Sequence, residues 1–162
     1  MESMENFRLR VKAIEACELG KTDEVKKAIN EGVNIKGENL LQIACQENHP
    51  EIATLLINAG ENVNFQNSWG NTALMSVCYL NHIKIADILI NAGADINAKD
   101  KQQQTALMIA CEKNRIEIVK LLIKAMKANK NIDINAEHAA LGIACRRGHK
   151  KIMKLLINRF DD

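Results

Sequence analysis

Apolar residues between Asn71 and Asn97 come in two short bursts. Leu74, Val77 and Cys78 stand three and four apart, and after a polar break at Asn81-His82 the stripe resumes at Ile85, Ala86, Ile88, Leu89 and Ala92. That spacing puts the apolar side chains on one side of a helix, so the pattern predicts two short amphipathic helices back to back. Helices of this length are marginal alone, because nucleation orders several residues for few hydrogen bonds. Their apolar faces need neighbours.

Copies of the same pattern supply them. Cysteine falls at 17, 45, 78, 111 and 145, at intervals of 28, 33, 33 and 34, preceded by Ala16, Ala44, Val77, Ala110 and Ala144. Eight residues after each cysteine stands Val25, Ala53, Ala86, Val119 or Met153, and Leu-Leu-Ile or Ile-Leu-Ile begins at 55, 88, 121 and 155. Register from these copies predicts helices over Phe7–Leu19 and Asp23–Ile29, with Thr22 or Asp23 as the cap of the second. Further helices are expected over Asn39–Gln46 and Pro50–Asn58, where Pro50 stands at a start that needs no donor. A third unit follows a connecting finger at Phe65–Asn71, a fourth runs from Thr105 to Met126, and a fifth from Ala139 to Arg159. The 28-residue interval leaves the finger around Asn34–Glu38 about five residues short. Lys127–Ile132 reads as an insertion, and Asn135–Ala139 as a curtailed finger. In the fourth finger, glutamines 102 to 104 replace the turn glycine that Gly70 provides in the third.

A period near 33 residues with a turn and two helices is the ankyrin spacing. Thr72-Ala73-Leu74-Met75 and Thr105-Ala106-Leu107-Met108 resemble that family's Thr-Pro-Leu-His helix start, and Gly93-Ala94-Asp95-Ile96-Asn97 resembles its Gly-Ala-Asp-Val-Asn turn. The starts depart from the family in lacking proline. The resemblance covers nearly the whole chain. It implies an all-α solenoid of stacked helix-turn-helix units with short β-hairpin or loop fingers. We expect one domain over 1–162, with repeats near 6–36, 37–65, 66–98, 99–135 and 136–162. The first is read as a terminal unit with a wet outer face. The resemblance also makes Asn97 a candidate for hydroxylation in a host that has such an enzyme.

Composition is consistent with thin helical layers: 47% of the 162 residues are hydrophobic but only 3% aromatic. The first ten residues are charged and lead into no apolar run, and no stretch of 18 apolar residues exists, so neither a signal peptide nor a membrane span is expected. Five cysteines at one repeat position argue for a reducing compartment, the cytoplasm, rather than a disulfide framework. Net charge is +2, unevenly spread: residues 1–66 hold 7 Lys/Arg against 11 Asp/Glu, and residues 67–162 hold 15 against 9. This is either ordinary solvated surface or a basic end, with Arg146, Arg147, Lys150, Lys151 and Lys154, that steers an acidic partner.

Three histidines follow a cysteine by four residues: Cys45-His49, Cys78-His82 and Cys145-His149. On one continuous helix that spacing could serve a metal or a thiolate–imidazole pair. Recurrence at one repeat position argues for structure instead, and the resemblance implies that histidine ties the loop between the paired helices, with Lys21 and Arg115 standing in elsewhere. His138 is single and expected in solvent. There is no glycine-rich phosphate loop, nucleophile elbow or clustered carboxylate pair, so no catalysis, cofactor or metal is expected. One Trp and one Tyr at +2 net charge fall short of a nucleic-acid surface.

Binding of another protein remains. The resemblance implies a concave face built from finger tips and first helices. Register from each cysteine assigns to it Glu18 and Leu19, Gln46 and Glu47, Tyr79 and Leu80, Glu112 and Lys113, and Arg146 and Arg147. The finger tips add Ser68, Trp69 and Asn71, then Lys101, Gln102 and Gln104. Trp69, Tyr79 and Leu80 are the expected anchors, with Glu112, Lys113, Arg146 and Arg147 setting charge preference. The competing expectation is that Trp69 folds over the neighbouring finger and Tyr79 fills a groove. The chain is expected to be monomeric, and either an adaptor or a stoichiometric inhibitor or regulator of one enzyme or toxin, including a secreted effector.

Overall fold

The apolar stripes become helices, most of them followed by a glycine or asparagine in the left-handed backbone region. The computed structural model describes residues 4–33, 39–129 and 133–160. The first pair is α1 (Met4–Glu18) and α2 (Thr22–Asn30), the second α3 (Leu40–Gln46) and α4 (Pro50–Asn58), and the third α5 (Ala73–Leu80) and α6 (Ile83–Asn91). The fourth is α7 (Ala106–Glu112) and α8 (Ile116–Asn129), and the fifth α9 (Ile134–Arg147) and α10 (Lys150–Phe160). Between the members of each pair, Gly20, Asn48, Asn81, Asn114 or Gly148 takes positive φ at one repeat position. Asparagine suits it because its short polar side chain tolerates that region. Gly20 has a further reason: a Cβ there would stand 2.6 Å from the His49 ring.

First helices pack on first helices in the order α1, α3, α5, α7, α9, and second helices form a parallel row in the order α2, α4, α6, α8, α10. One core runs between the rows. Ile52, Ile85, Ile118 and Ile152, and one turn on Leu56, Leu89, Leu122 and Leu156, are fully buried in successive pairs. In α2 the corresponding positions are exposed Glu24 and the small Ala28, which gives the first pair a wetter outer face.

Thr72 and Thr105 cap α5 and α7, each hydroxyl accepting the backbone N–H three residues on at 3.3 Å. The fingers are loops, with no strand among the described residues. Asn67 Oδ1 accepts the N–H groups of Trp69 and Asn71 at 3.0 Å, and Asp100 Oδ1 accepts those of Gln102 and Gln104 at 2.8 Å. Gln103 takes the left-handed conformation that Gly70 takes one repeat earlier, so the glutamine run accepts the strain of the missing glycine.

Three expectations are corrected. Lys21, not Thr22 or Asp23, precedes α2, and its side chain makes no cap bond. α8 continues to Asn129, through residues read as insertion. α9 starts at Ile134, so Asn135–Ala139 is helix rather than finger, because Asp133 caps it by accepting the Ala136 N–H at 3.1 Å. The short finger at Asn34–Glu38 and the end of the insertion lie outside the described residues.

Candidate functional site

The ends of α5 and α7 and the fingers preceding them converge on a groove of about 560 Å3. Tyr79 and Leu80 come from the last turn of α5, Glu112 and Lys113 from the end of α7, and Asn71, Gln102 and Gln104 from the fingers. Gln46 and Glu47 close the side nearest α3. Nine of the residues expected on a binding face thus share one concavity.

Four lining residues escaped the sequence reading: Met75, Ser76, Asp100 and Ile109. Met75 and Ser76 lie one helical turn before Tyr79 and Leu80, and Ile109 three residues before Glu112. The i, i+3, i+4 rule run backwards from Tyr79, Leu80 and Glu112 points to all three. Asp100 was hidden because its carboxylate holds the finger turn while its outer surface faces the groove.

Ser68, Trp69, Lys101, Arg146 and Arg147 do not line the groove. Trp69 is 69% exposed at its finger tip, so its side chain does not fold over the next finger; the next finger meets its backbone carbonyl, which accepts the Lys101 N–H at 3.1 Å. Arg146 is exposed. Arg147 reaches back from α9 to pair with Glu112, so part of the charge expected to face a partner is already neutralised within the chain.

The groove floor is held before anything binds. Tyr79 is 52% and Leu80 41% exposed, the Lys113 ammonium sits 4.5 Å from the Tyr79 ring centroid, and Arg115 donates to the Tyr79 carbonyl at 3.0 Å. Such a cation over an exposed ring contributes roughly 0.5–1 kcal/mol. The carboxylates of Glu47, Asp100 and Glu112 outnumber the one ammonium among the lining residues.

Arg115 belongs to a wider pattern. His49 Nε2 lies 3.2 Å from the Glu18 carbonyl, His82 Nδ1 2.9 Å from that of Cys45, and His149 Nε2 3.3 Å from that of Glu112. Each ring donates to the C-terminal end of the preceding unit's first helix, where backbone carbonyls lack helical partners. The tie therefore runs between units rather than within one loop. Lys21, at the corresponding place in the first pair, ion-pairs with Glu24.

The buried cysteines Cys45 and Cys78 are not poised for chemistry beside these rings. Burial pushes the Cys45 thiol up to about 12 and the Cys78 thiol higher still. Among the described residues no three His, Cys, Asp or Glu gather as a metal site, and no helix is long and apolar enough to cross a membrane.

Comparison with known sequences bears on the repeat pattern as a whole. A family model for ankyrin repeats in three copies matches residues 13–100 and again 98–162. None of the curated proteins matches the chain significantly.

Proposed function

The chain belongs to the ankyrin-repeat family, whose arrays are generally protein-interaction modules, and from that premise we propose that it is a non-catalytic module that seats another protein on the α5–α7 groove. The observation that carries this reading is the groove itself. Tyr79 and Leu80, two large apolar side chains, are left partly exposed on a floor fixed by Lys113 and Arg115 and ringed by amide side chains. Rigid aromatic and aliphatic anchors of this kind add contact area with little further ordering. Gln46, Asn71, Gln102 and Gln104 offer donors and acceptors to a partner's backbone, while Trp69, Ser68 and Lys101 stand at the rim and Arg146 and Arg147 beyond Glu112. The module works as a cytoplasmic monomer, without cofactor, metal, nucleic acid or membrane.

The test is capture from lysate of the source organism by wild type and by Trp69→Ala/Tyr79→Ala and Leu80→Ala, after circular dichroism has established equal folding. Loss of an anchor costs about 2 kcal/mol, roughly thirtyfold in affinity. A band retained at wild-type strength by all variants would sink the groove. Adding the chain at equal molarity to an assay of the captured protein then separates an adaptor, which leaves activity unchanged, from a stoichiometric inhibitor.

A further inference from the structure

The second helices form their own row, and none of the groove residues belongs to it. Charge along that row is divided. α2, α4 and α6 carry Lys26, Lys27 and Lys84 against Asp23, Glu24, Glu51 and Asp87, with Lys84 Nζ 3.0 Å from Glu51 Oε1. α8 and α10 carry seven Lys or Arg residues and a single carboxylate, Glu117. That carboxylate is held by Lys120 at 2.8 Å, and Arg159 is turned inward to Glu137 at 2.8 Å. Exposed Lys124, Lys150, Lys151 and Lys154 face no carboxylate among the described residues. The positive excess of the C-terminal half is thus gathered on two adjacent helices.

Between those helices lies a groove of about 340 Å3 with Ile123 and Leu155 on its floor and Lys120, Lys124 and Lys127 along one edge. A groove of similar size, about 360 Å3, crosses α2, α4 and α6, but it is lined by both signs of charge. Like charges held this close raise the local potential and repel one another, so the arrangement favours an anionic occupant.

We propose that the α8–α10 groove is a second docking surface, and that its occupant is an acidic amphipathic segment of another protein. Carboxylates of the segment meet the lysines, and an aliphatic side chain seats on Ile123 and Leu155. A phosphate backbone fits this surface less well. Its exposed cations are lysines, the lining Arg159 has its guanidinium turned inward to Glu137, the chain's Trp and Tyr lie on other elements, and an aliphatic floor gives nothing to a nucleotide. A lipid surface would call for apolar side chains that project, whereas Ile123 and Leu155 are recessed and half-buried.

The experiment uses fluorescence anisotropy at low salt on the full chain. The probe is a labelled two-heptad peptide with leucine at helical spacing and glutamate elsewhere. Comparators are the same peptide with serine for leucine, single-stranded oligothymidylate, and phosphatidylserine vesicles. The leucine peptide should bind best and weaken as salt screens the pairs. Lys120→Glu/Lys124→Glu/Lys127→Glu should bind it about tenfold more weakly with an unchanged circular dichroism spectrum, from three exposed ion pairs at the groove edge lost. Tyr79→Ala should bind it as wild type does, which separates this surface from the α5–α7 groove. The proposal is overturned if the leucine peptide does not bind, if the serine peptide binds equally, if oligothymidylate or vesicles bind more tightly, or if the triple variant is unaffected.

Discussion

At the scale of single residues, one repeat position yields opposite chemistry depending on what lies against it. Cys17, Cys45, Cys78 and Cys111 are buried between successive first helices, while Cys145 in α9 is exposed, with no further first helix stacked on it among the described elements. Burial raises the Cys17, Cys45 and Cys111 thiols to about 12, with the Glu61 and Glu18 charges adding to the rise at Cys17. The thiolate is the nucleophile, so these side chains are inert near neutral pH as well as inaccessible. We expect Cys145 alone to react rapidly with a disulfide reagent such as Ellman's in the native state, and all five cysteines after denaturation. A second fast thiol in the native protein would contradict the packing described. The recurrence of cysteine was legible in the sequence. That the last copy loses its cover was not, because cover comes from an element some 33 residues away in the repeat.

At the scale of elements, α9 departs furthest from expectation. Local spacing suggested a curtailed finger, yet Ala136, Ala140 and Ala144, each four residues apart, bury one helical face from the start of the element. Asp133 caps that start and also takes the Lys99 ammonium at 2.8 Å, which binds α9 to the preceding finger. Glu137 is carried inside by the same helix and meets Arg159 of α10. Burial raises the Glu137 pKa, and the Arg159 charge works against that rise. A raised carboxyl contributes stability that is present below its ordinary value of 4.5 and lost as pH climbs through the folded value. Arg159→Ala removes the opposing charge and leaves a buried carboxylate alone, so at neutral pH the α9–α10 pair should lose about 3–5 kcal/mol. The deficit relative to wild type should shrink as Glu137 is protonated in mild acid, and Glu137→Gln/Arg159→Met should recover much of it. Amide hydrogen exchange of α9 and α10 at two pH values measures this; a deficit independent of pH would refute the assignment.

At the scale of the whole molecule, stability is shared between neighbours along the stack, because among the described residues the main packing of each pair is against the adjacent ones. Leu89 in α6 lies within the row between α4 and α8, whereas Leu156 in α10 is in the last pair of it. Either truncation to alanine removes buried contacts worth about 2–5 kcal/mol. Leu89→Ala should lower the urea midpoint of the array as a whole. Leu156→Ala should instead release the amides of α9 and α10 while leaving protection in α3 to α6 near wild type. Hydrogen exchange resolved by segment distinguishes the two, and a uniform loss in Leu156→Ala would mean that cooperativity extends beyond nearest neighbours.

The sequence by itself determined the helical period, the repeat spacing, the buried isoleucine and leucine ladder, and the family, all of which are local or periodic properties of the chain. It also assigned Tyr79, Leu80, Glu112 and Lys113 to equivalent positions of successive units, because register from each cysteine carries from one repeat to the next; stacking then set them in one groove. Only the tertiary structure decided that Arg147 spends its charge on Glu112, that Trp69 stands clear of the groove, that His82 ties α6 to the unit before it, and that Leu155 of α10 shares a groove with the lysines of α8. Those outcomes depend on which atoms meet across a unit boundary. Pairs some 30 or more residues apart in the chain come together there by stacking, and no periodicity within one repeat encodes them.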